Sequence, residues 1–191
     1  MTNSIVLASA SQGRQELMRR AGISFHVDIS NCSETTEARQ PEEHVTTLAL
    51  RKATDVSSRH PDAIVIGADT VIICDGEILG KPDSARHAEA MLGRLAGRHH
   101  MLITGIAILH ASANRRYSGV EYTKVHMRPL TTMQIRAYVA SGEPMGKSGS
   151  YDIQGLGSTI IDELQGDFTN VVGLPMAHLA RELESFGVCV P

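Results

Sequence analysis

The stretch around which the chain is organised is residues 64–82, IVIGADTVIICDGEILGKP. The apolar β-branched runs on either side of residues 67–70 are typical of a strand that is buried on both faces. Residues 75–76, Asp-Gly, predict a hairpin turn, and its return arm leads to Lys81. Burying the Asp69 carboxylate is costly unless it is paired, hydrogen-bonded or bound to a metal. The stretch therefore predicts either a structural ion pair or a catalytic base beside a phosphate-binding lysine.

The composition is that of a globular protein with a nearly balanced charge. Of the 191 residues, 42% are hydrophobic and 20% are charged, and the net charge is −3. This charge gives no sign of a sequence-independent interaction with nucleic acid. No apolar run reaches the ~18 residues of a membrane span and no signal peptide is recognisable, so we expect no membrane partner and a cytoplasmic location. Three scattered cysteines without a CxxC pattern are typical of reduced thiols.

A strand–turn–helix unit near the N-terminus has the features of an anion site. Residues 4–8 form an apolar strand pattern, and residues 15–21 have helical periodicity. Ser9 and Ser11 lie between them, where hydroxyls and backbone N–H groups at a helix N-terminus attract anions. Arg14 lies in the first turn, where the helix dipole disfavours a cation unless an anion is bound. A capped helix with a surface arginine is the alternative.

A long helix is predicted from Pro41 to about Ser58, because proline is favoured at the first helical position and glutamates follow it. Its apolar stripe includes Lys52, which either extends along the core to reach water or reaches into a polar cleft. The preceding polar loop, residues 30–40, contains Glu34. Loops of this length are often binding segments.

The second informative stretch is residues 146–157, GKSGSYDIQGLG. Four of its twelve residues are glycine, which disfavours a strand or a helix and lets backbone N–H groups approach a ligand. Lys147 supplies a positive charge, and Gln154 supplies an amide that both donates and accepts. The order of residues matches neither a P-loop nor GxGxxG. Beyond this loop we predict a strand over residues 158–164, a turn over 170–175 and a last helix over 176–186.

The mixture of strands, helices and a hairpin predicts a mixed α/β fold, with a partly antiparallel sheet and flanking helices around a central cleft. We expect this cleft to be lined by residues 9–14, Lys52, Asp69, Lys81 and the 146–157 loop. Several cations and a glycine-rich loop around one carboxylate are the composition of a polyphosphate site that contains a metal or a base.

Four blocks of the sequence together resemble the motifs of the Maf-type nucleoside triphosphate pyrophosphatases. They are LASASQGRQELMRRAG, GADTVIICDGEILGKP, GKSGSYDIQGLG and NVVGLP, in the family's order, and the resemblance spans nearly the whole chain. It implies a single domain over residues 1–191, with two lobes around a cleft, a sheet shared with the inosine triphosphatase group, and a homodimer. It also implies hydrolysis of a nucleoside triphosphate to the monophosphate and pyrophosphate with a divalent cation, Mg²⁺ or Mn²⁺.

The resemblance also implies roles for individual residues. Asp69 would be the general base and, together with Glu34, would hold the metal. The residues that would bind substrate are Ser9, Ser11, Arg14, Lys52, Thr70, Lys81, Lys147 and Gln154. Thr70 and Gln154 resemble the branch of the family that acts on dTTP and UTP, whereas the sister branch, which prefers a methylated GTP, tends to have Gln and Glu there.

The first block departs from the family pattern. The family usually has Ser-x-Ser-Pro-Arg-Arg, whereas residues 9–14 read SASQGR. The proline favoured at a helix start is missing, and Gly13 stands where an arginine is expected. That position is associated with substrate choice, so Gly13 joins Thr70 and Gln154 as a specificity position, and other or modified nucleotides are further candidates. A nucleotide-binding regulator of cell division without significant catalysis is the alternative function.

Overall fold

The computed structural model describes residues 4–190. Within this range the helices are Gln12–Arg20 (α1), Pro41–Ser57 (α2), Ala85–Leu95 (α3), Thr132–Ala140 (α4), Phe168–Val172 (α5) and Met176–Ser185 (α6). The strands are Ile5–Leu7 (β1), His26–Val27 (β2), Ile64–Cys74 (β3), Glu77–Leu79 (β4), His99–His110 (β5), Arg115–Met127 (β6) and Ile161–Gln165 (β7). Short 3₁₀-helices span Ser148–Ser150 and Leu156–Thr159.

The strands form a mixed sheet in the order β2-β1-β3-β5-β6-β7, and β4 pairs with β3. β1 is parallel to β2 and to β3, whereas β4 is antiparallel to β3 and β7 is antiparallel to β6. The predicted mixed, partly antiparallel α/β fold is confirmed. Across residues 4–190, the helices are too short or too polar to cross a membrane.

The strand predicted around Asp69 is one continuous element of eleven residues, β3. Its side chains are buried along most of its length, but Asp69 and Thr70 are half-buried. The predicted hairpin is confirmed, because β3 pairs with β4 and both turn residues have positive φ, 51° at Asp75 and 78° at Gly76. The hydrophobic runs therefore hold the Asp69 carboxylate at a defined position in the sheet.

The described residues divide into two compact units. The first contains residues 4–69, 104–121 and 173–190, and the second contains residues 70–103 and 122–172. Strands β3, β5 and β6 contribute residues to both units. The single domain with two lobes stays a prediction.

The core of the first unit brings α2 unusually close to the sheet. Its buried cluster consists mainly of small side chains, namely Val6, Ala8, Ala49, Ala53, Val56, Ala63, Val65 and Ala107. A Cβ at Gly67 would lie 2.3 Å from the backbone oxygen of Ala49, and one at Gly105 would lie 2.5 Å from the backbone oxygen of Val45. This close approach lets a side chain of α2 reach the carboxylate on β3.

The core of the second unit lies between the β3–β4 hairpin, the helices α3 and α4, and part of the glycine-rich loop. It includes Ile72 and Leu79 of the hairpin, Leu92 of α3, and Tyr151 and Ile153 of the loop. Because Tyr151 and Ile153 are buried in this core, the middle of the loop is anchored to the fold.

Three sequence-based boundaries differ from the structure. Helix α1 begins at Gln12, three residues earlier than the periodicity indicated, because Ser11 caps it. The predicted strand over 158–164 was wrong at its start, where the 3₁₀-helix Leu156–Thr159 precedes β7. The predicted turn over 170–175 contains the end of α5, whose first turn is capped by the Asp167 carboxylate, which accepts the Thr169 N–H at 2.7 Å.

Candidate active site

Three of the predicted site residues meet in the first unit. The Nζ of Lys52, on α2, lies 2.7 Å from Oδ1 of Asp69 on β3 and 2.8 Å from Oε1 of Glu34 in the loop before α2. The Lys52 and Asp69 side chains are only 10% and 14% exposed, whereas that of Glu34 is 59% exposed. The lysine on the apolar stripe of α2 therefore points to two carboxylates rather than extending to open water.

Arg14 belongs to the same neighbourhood. Its Nε donates to the carbonyl oxygen of Gly173 at 2.7 Å, and its Nη1 donates to Oγ of Ser9 at 3.2 Å. Burial lowers the pKa of Arg14, and the charges of Asp69 and Glu34 oppose that shift. Arginine remains protonated in proteins, so the guanidinium is a permanent positive charge here. Arg14 is thus half-buried and is held by the fold.

The turn between β1 and α1 presents polar groups to Arg14. The hydroxyl of Ser9 accepts the N–H of Ser11 at 3.2 Å, and the hydroxyl of Ser11 accepts the N–H of Arg14 at 3.5 Å. Ser9 itself is buried. Gly13 lies in the first turn of α1 and is half-buried. The serines here cap the helix and hold the arginine, and the N-terminal turn of α1 lies beside that cation.

The carboxylates of Asp69 and Glu34 are suitable protein ligands for a magnesium or manganese ion. In residues 4–190 no three or more His, Cys, Asp or Glu side chains are grouped as metal ligands. Mg²⁺ is usually bound through one or two carboxylates together with substrate phosphates, and it keeps several waters. Both carboxylates already converge on one cation, the Lys52 ammonium, so a positive charge is stabilised between them.

The glycine-rich loop of the second unit is attached to the β3–β4 hairpin. The Ser148 hydroxyl donates to the carbonyl oxygen of Thr70 at 3.2 Å, and the Gly149 N–H donates to that of Gly80 at 2.9 Å. A Cβ at Gly149 would lie 2.4 Å from Cδ1 of Ile72 on β3, so the loop and strand are in close contact. These contacts place the loop beside Thr70 and beside the residue that precedes Lys81.

Two polar side chains of this loop differ in their contacts. Nζ of Lys147 lies 2.6 Å from Oδ2 of Asp152, and the lysine side chain is 43% exposed. Oδ1 of Asp152 accepts the N–H of Gln154 at 2.9 Å, whereas the Gln154 residue is exposed. The amide of Gln154 is therefore held on a constrained backbone at the surface of its unit.

Sequence reasoning missed Glu143, which organises the second half of the loop. Its carboxylate accepts the N–H groups of Leu156 and Gly157, each at 2.8 Å, and the Tyr138 hydroxyl at 2.7 Å. Burial, reinforced by the hydrogen bond to Glu143, raises the pKa of Tyr138, so this phenol is a stable donor. The N–H groups of Leu156 and Gly157 are therefore engaged within the fold. An acid just before a glycine-rich loop was the available signal.

The predicted site residues thus fall into two sets. In the first unit lie Ser9, Ser11, Gly13, Arg14, Glu34, Lys52 and Asp69, and in the second lie Thr70, Lys81, Lys147 and Gln154. The first set contains two cations and two carboxylates, of which Lys52 bridges the carboxylates and Arg14 lies within reach of their charges.

Known proteins resemble this chain over nearly its whole length. The family of Maf-like proteins matches residues 4–186. A dTTP/UTP pyrophosphatase of Symbiobacterium thermophilum is 47% identical over 184 residues, which cover 96% of this chain and 94% of that protein. A dTTP/UTP pyrophosphatase of Moorella thermoacetica is 45% identical over 189 residues, which cover 97% and 96%. Among solved structures, a HAM1 protein from Coxiella burnetii has a TM-score of 0.52 at 14% identity and covers 96% of this chain and 100% of that one, a likeness of fold.

Proposed function

The chain belongs to the family of Maf-like proteins, and from that membership we propose that it is a nucleoside triphosphate pyrophosphatase. The reaction is hydrolysis of dTTP or UTP to the monophosphate and pyrophosphate, in keeping with the names of its relatives. The observation that carries the proposal is the cluster in which the Lys52 ammonium joins Asp69 and Glu34.

In the proposed mechanism Asp69 orients the attacking water and accepts its proton. Because Lys52 binds Oδ1, the carboxylate is held in one orientation, and we assign Oδ2 to the water. Phosphoryl transfer needs little covalent help from a protein and depends on positioning and charge stabilisation. A general base contributes typically about 10²–10⁴-fold to the rate of such a reaction.

A divalent cation, Mg²⁺ or Mn²⁺, completes the proposal. Asp69 and Glu34 would hold it, and it would supply charge neutralisation at the phosphate oxygens. The Arg14 guanidinium and the Lys52 ammonium lie beside these carboxylates. Their role is to offset the charge of the triphosphate and of the departing pyrophosphate.

For the second unit, the proposed roles rest on the family resemblance and on exposure. Lys81 and Gln154 are exposed, and Lys147 forms an ion pair that is open to solvent and that costs little to exchange for a phosphate. We assign Lys81 and Lys147 to the phosphates. Gln154, Thr70 and Gly13 are assigned to the choice of base, with the Gln154 amide pairing to a pyrimidine edge. The homodimer and the cytoplasmic location also remain proposals.

The decisive experiment measures pyrophosphate release from a panel of nucleoside triphosphates, with Mg²⁺, with Mn²⁺ and with a chelator. We expect metal-dependent release that is well above the others for dTTP and UTP. Pyrophosphate release from a nucleotide with another or a modified base would be consistent with the mechanism and would indicate that Gly13 determines the specificity. Nucleotide binding without turnover of any substrate would refute the proposal and favour the regulator of cell division.

A further inference from the structure

One face of α2 is covered by the loop that precedes it. We call residues 28–35 the strap. The strap is held by two α2 side chains four residues apart, Arg51 and Asp55, and by Arg59, which lies two residues beyond the end of the helix. Arg59 forms a two-point ion pair with Asp28 at 3.0 and 3.2 Å. Asp55 accepts hydrogen bonds from the Ser30 hydroxyl and the Asn31 N–H, each at 2.9 Å.

The third anchor, Arg51, binds the backbone of the strap on both sides of Glu34. Its Nη1 donates to the carbonyl oxygen of Ser33 at 2.9 Å and to that of Thr35 at 2.7 Å. The turn is also closed on itself, because the Thr35 N–H donates to Oγ of Ser33 at 3.2 Å. Glu34 therefore lies at the apex of a turn whose two flanking carbonyls share one guanidinium.

Arg51 and Lys52 are consecutive but act on different parts of the same residue. Lys52 binds the Glu34 carboxylate, whereas Arg51 binds the backbone around it. The Glu34 side chain is 59% exposed, so its ion pair with Lys52 is a weak restraint by itself. Hydrogen bonds from a charged guanidinium are stronger and more directional than those from neutral donors.

Toward the N-terminus of α2, the row of side chains that hold the strap ends at Arg51. The next positions at the same spacing, Thr47 and Glu43, line an open cavity of about 900 Å³, together with Arg51 and with residues 35–39 of the loop. Arg51 is thus the α2 side chain that ties down the strap at the point where it leaves the helix surface.

We propose that Arg51 is a positioning residue for Glu34. It fixes the turn of the strap so that the Glu34 carboxylate meets Lys52 beside Asp69. The consequence for turnover rests on the proposed function, whereas the placement of Glu34 does not.

Hydrogen exchange of the ligand-free protein tests the placement. Arg51→Gln is expected to raise exchange at the Thr35 amide by about tenfold or more, because this N–H is bonded to Oγ of Ser33 within the turn that Arg51 holds by two charge-assisted hydrogen bonds. Arg59→Gln is the control, since it weakens the other end of the strap, where His60 still binds Asp28. It is expected to leave exchange at the Thr35 amide unchanged. Equal exchange at Thr35 in Arg51→Gln and wild type would overturn the proposal.

Kinetics test whether Arg51 acts through Glu34. Arg51→Gln is expected to lower kcat about 10–100-fold, with a smaller change in the KM for nucleotide, as for residues that orient a metal ligand. Arg51→Lys should recover part of the loss, and Arg59→Gln should stay near wild type. In a Glu34→Gln background, Arg51→Gln should not lower kcat any further.

The two proposals fail in different ways. Multiplicative losses of kcat in the Arg51→Gln/Glu34→Gln double variant would show that Arg51 does not act through Glu34. This result would refute the inference about Arg51 and leave the proposed function unaffected. A wild-type protein without pyrophosphatase activity would refute the proposed function, and hydrogen exchange would still decide whether Arg51 places Glu34.

Discussion

Lys52 and Asp69 form a 2.7 Å ion pair between a helix and a strand, and both side chains are largely removed from solvent. Glu34 joins the same ammonium from the loop at 2.8 Å. One positive charge therefore compensates two carboxylates, and Arg14 is close enough that both carboxylates oppose the fall of its pKa. Removing any member of this cluster should affect stability and chemistry to different degrees.

Lys52→Met should reduce both stability and activity. Methionine keeps the apolar stem but leaves two carboxylates without their shared cation. Breaking a buried ion pair costs about 3–5 kcal/mol, and the lower end is expected here because Glu34 is mostly solvated. Urea unfolding measures the loss. Arg20→Met is the control, because it removes an exposed pair with Glu16 and should change the free energy of unfolding little. Wild-type stability of Lys52→Met would contradict the buried-charge interpretation.

Asp69→Asn should separate chemistry from folding. The amide oxygen of asparagine still accepts a hydrogen bond from Lys52, so the fold and nucleotide binding should be retained. Loss of the base should lower turnover by about 10²–10⁴-fold. Pyrophosphate release, calorimetric nucleotide binding and thermal unfolding check the three expectations. Near-normal turnover would show that Asp69 is not the base.

Gly67→Ala tests the close packing of α2 on the sheet. The added Cβ would lie 2.3 Å from the backbone oxygen of Ala49 and 2.9 Å from the backbone nitrogen of Ala53. Backbone atoms cannot rotate away, so α2 must shift and the protein should lose about 1–3 kcal/mol. Lys52 moves with the helix, so turnover should fall too.

Gly93→Ala is the matched control for that substitution. Gly93 lies in α3 and a Cβ there has no heavy atom within 4 Å. Alanine should stabilise the helix by about 0.5–1 kcal/mol. Comparable destabilisation by both substitutions in chemical unfolding would argue against a tight α2–β3 contact.

Glu143→Ala should loosen the loop that carries Gln154. It leaves the N–H groups of Leu156 and Gly157 and the Tyr138 hydroxyl without their acceptor, at a cost of about 1–3 kcal/mol. We expect faster hydrogen exchange at residues 154–158 and a rise in KM that exceeds the fall in kcat. Tyr138→Phe removes the donor to Glu143 and the acceptor of the Asp152 N–H but keeps the two backbone contacts of Glu143, so it should raise exchange at residue 152 and leave residues 156 and 157 protected. Unchanged exchange in Glu143→Ala would refute this role.

His100 should make stability fall in mild acid. Burial lowers the pKa of His100 from 6.5 to about 4, and His126 and His99 act in the same direction, whereas a hydrogen bond to the backbone of Arg98 acts in the opposite direction. The unfolded chain takes up a proton near pH 6.5, whereas the folded protein does so only near pH 4. Stability from the neutral imidazole is therefore complete above pH 6.5, and about 3 kcal/mol is lost as the pH falls to 4.

Unfolding free energies measured between pH 4 and 7 test this slope. His100→Gln should show a shallower decline than wild type. The control is Tyr151→Phe, which removes the hydroxyl that lies 2.8 Å from Nε2 of His100 and keeps the surrounding burial. Because burial is the main cause of the shift, Tyr151→Phe should keep the steep slope. A wild-type slope in His100→Gln would assign the acid sensitivity to other groups.

Local sequence patterns were sufficient for the elements around Asp69. The β-branched runs of residues 64–74 form one strand, Asp75-Gly76 forms the hairpin turn, and Pro41 begins α2. These features depend on backbone preferences and on the period of burial, which neighbouring residues encode. The start of α1 and the ends of the last elements were less accurate, because they depend on caps such as Ser11 and Asp167.

Only the tertiary structure decided which partners those side chains meet. Lys52 could have reached water, but the close packing of α2 on β3 places it against Asp69. Arg14 is held by the carbonyl of Gly173, 159 residues away, and Glu143 closes a loop whose glycines suggested ligand contacts. The hydrophobic periodicity of the sequence does not reveal such contacts, because they join groups that are distant along the chain and that meet only when the core packs. The residue types at the site are a property of the sequence, and their pairing is a property of the fold.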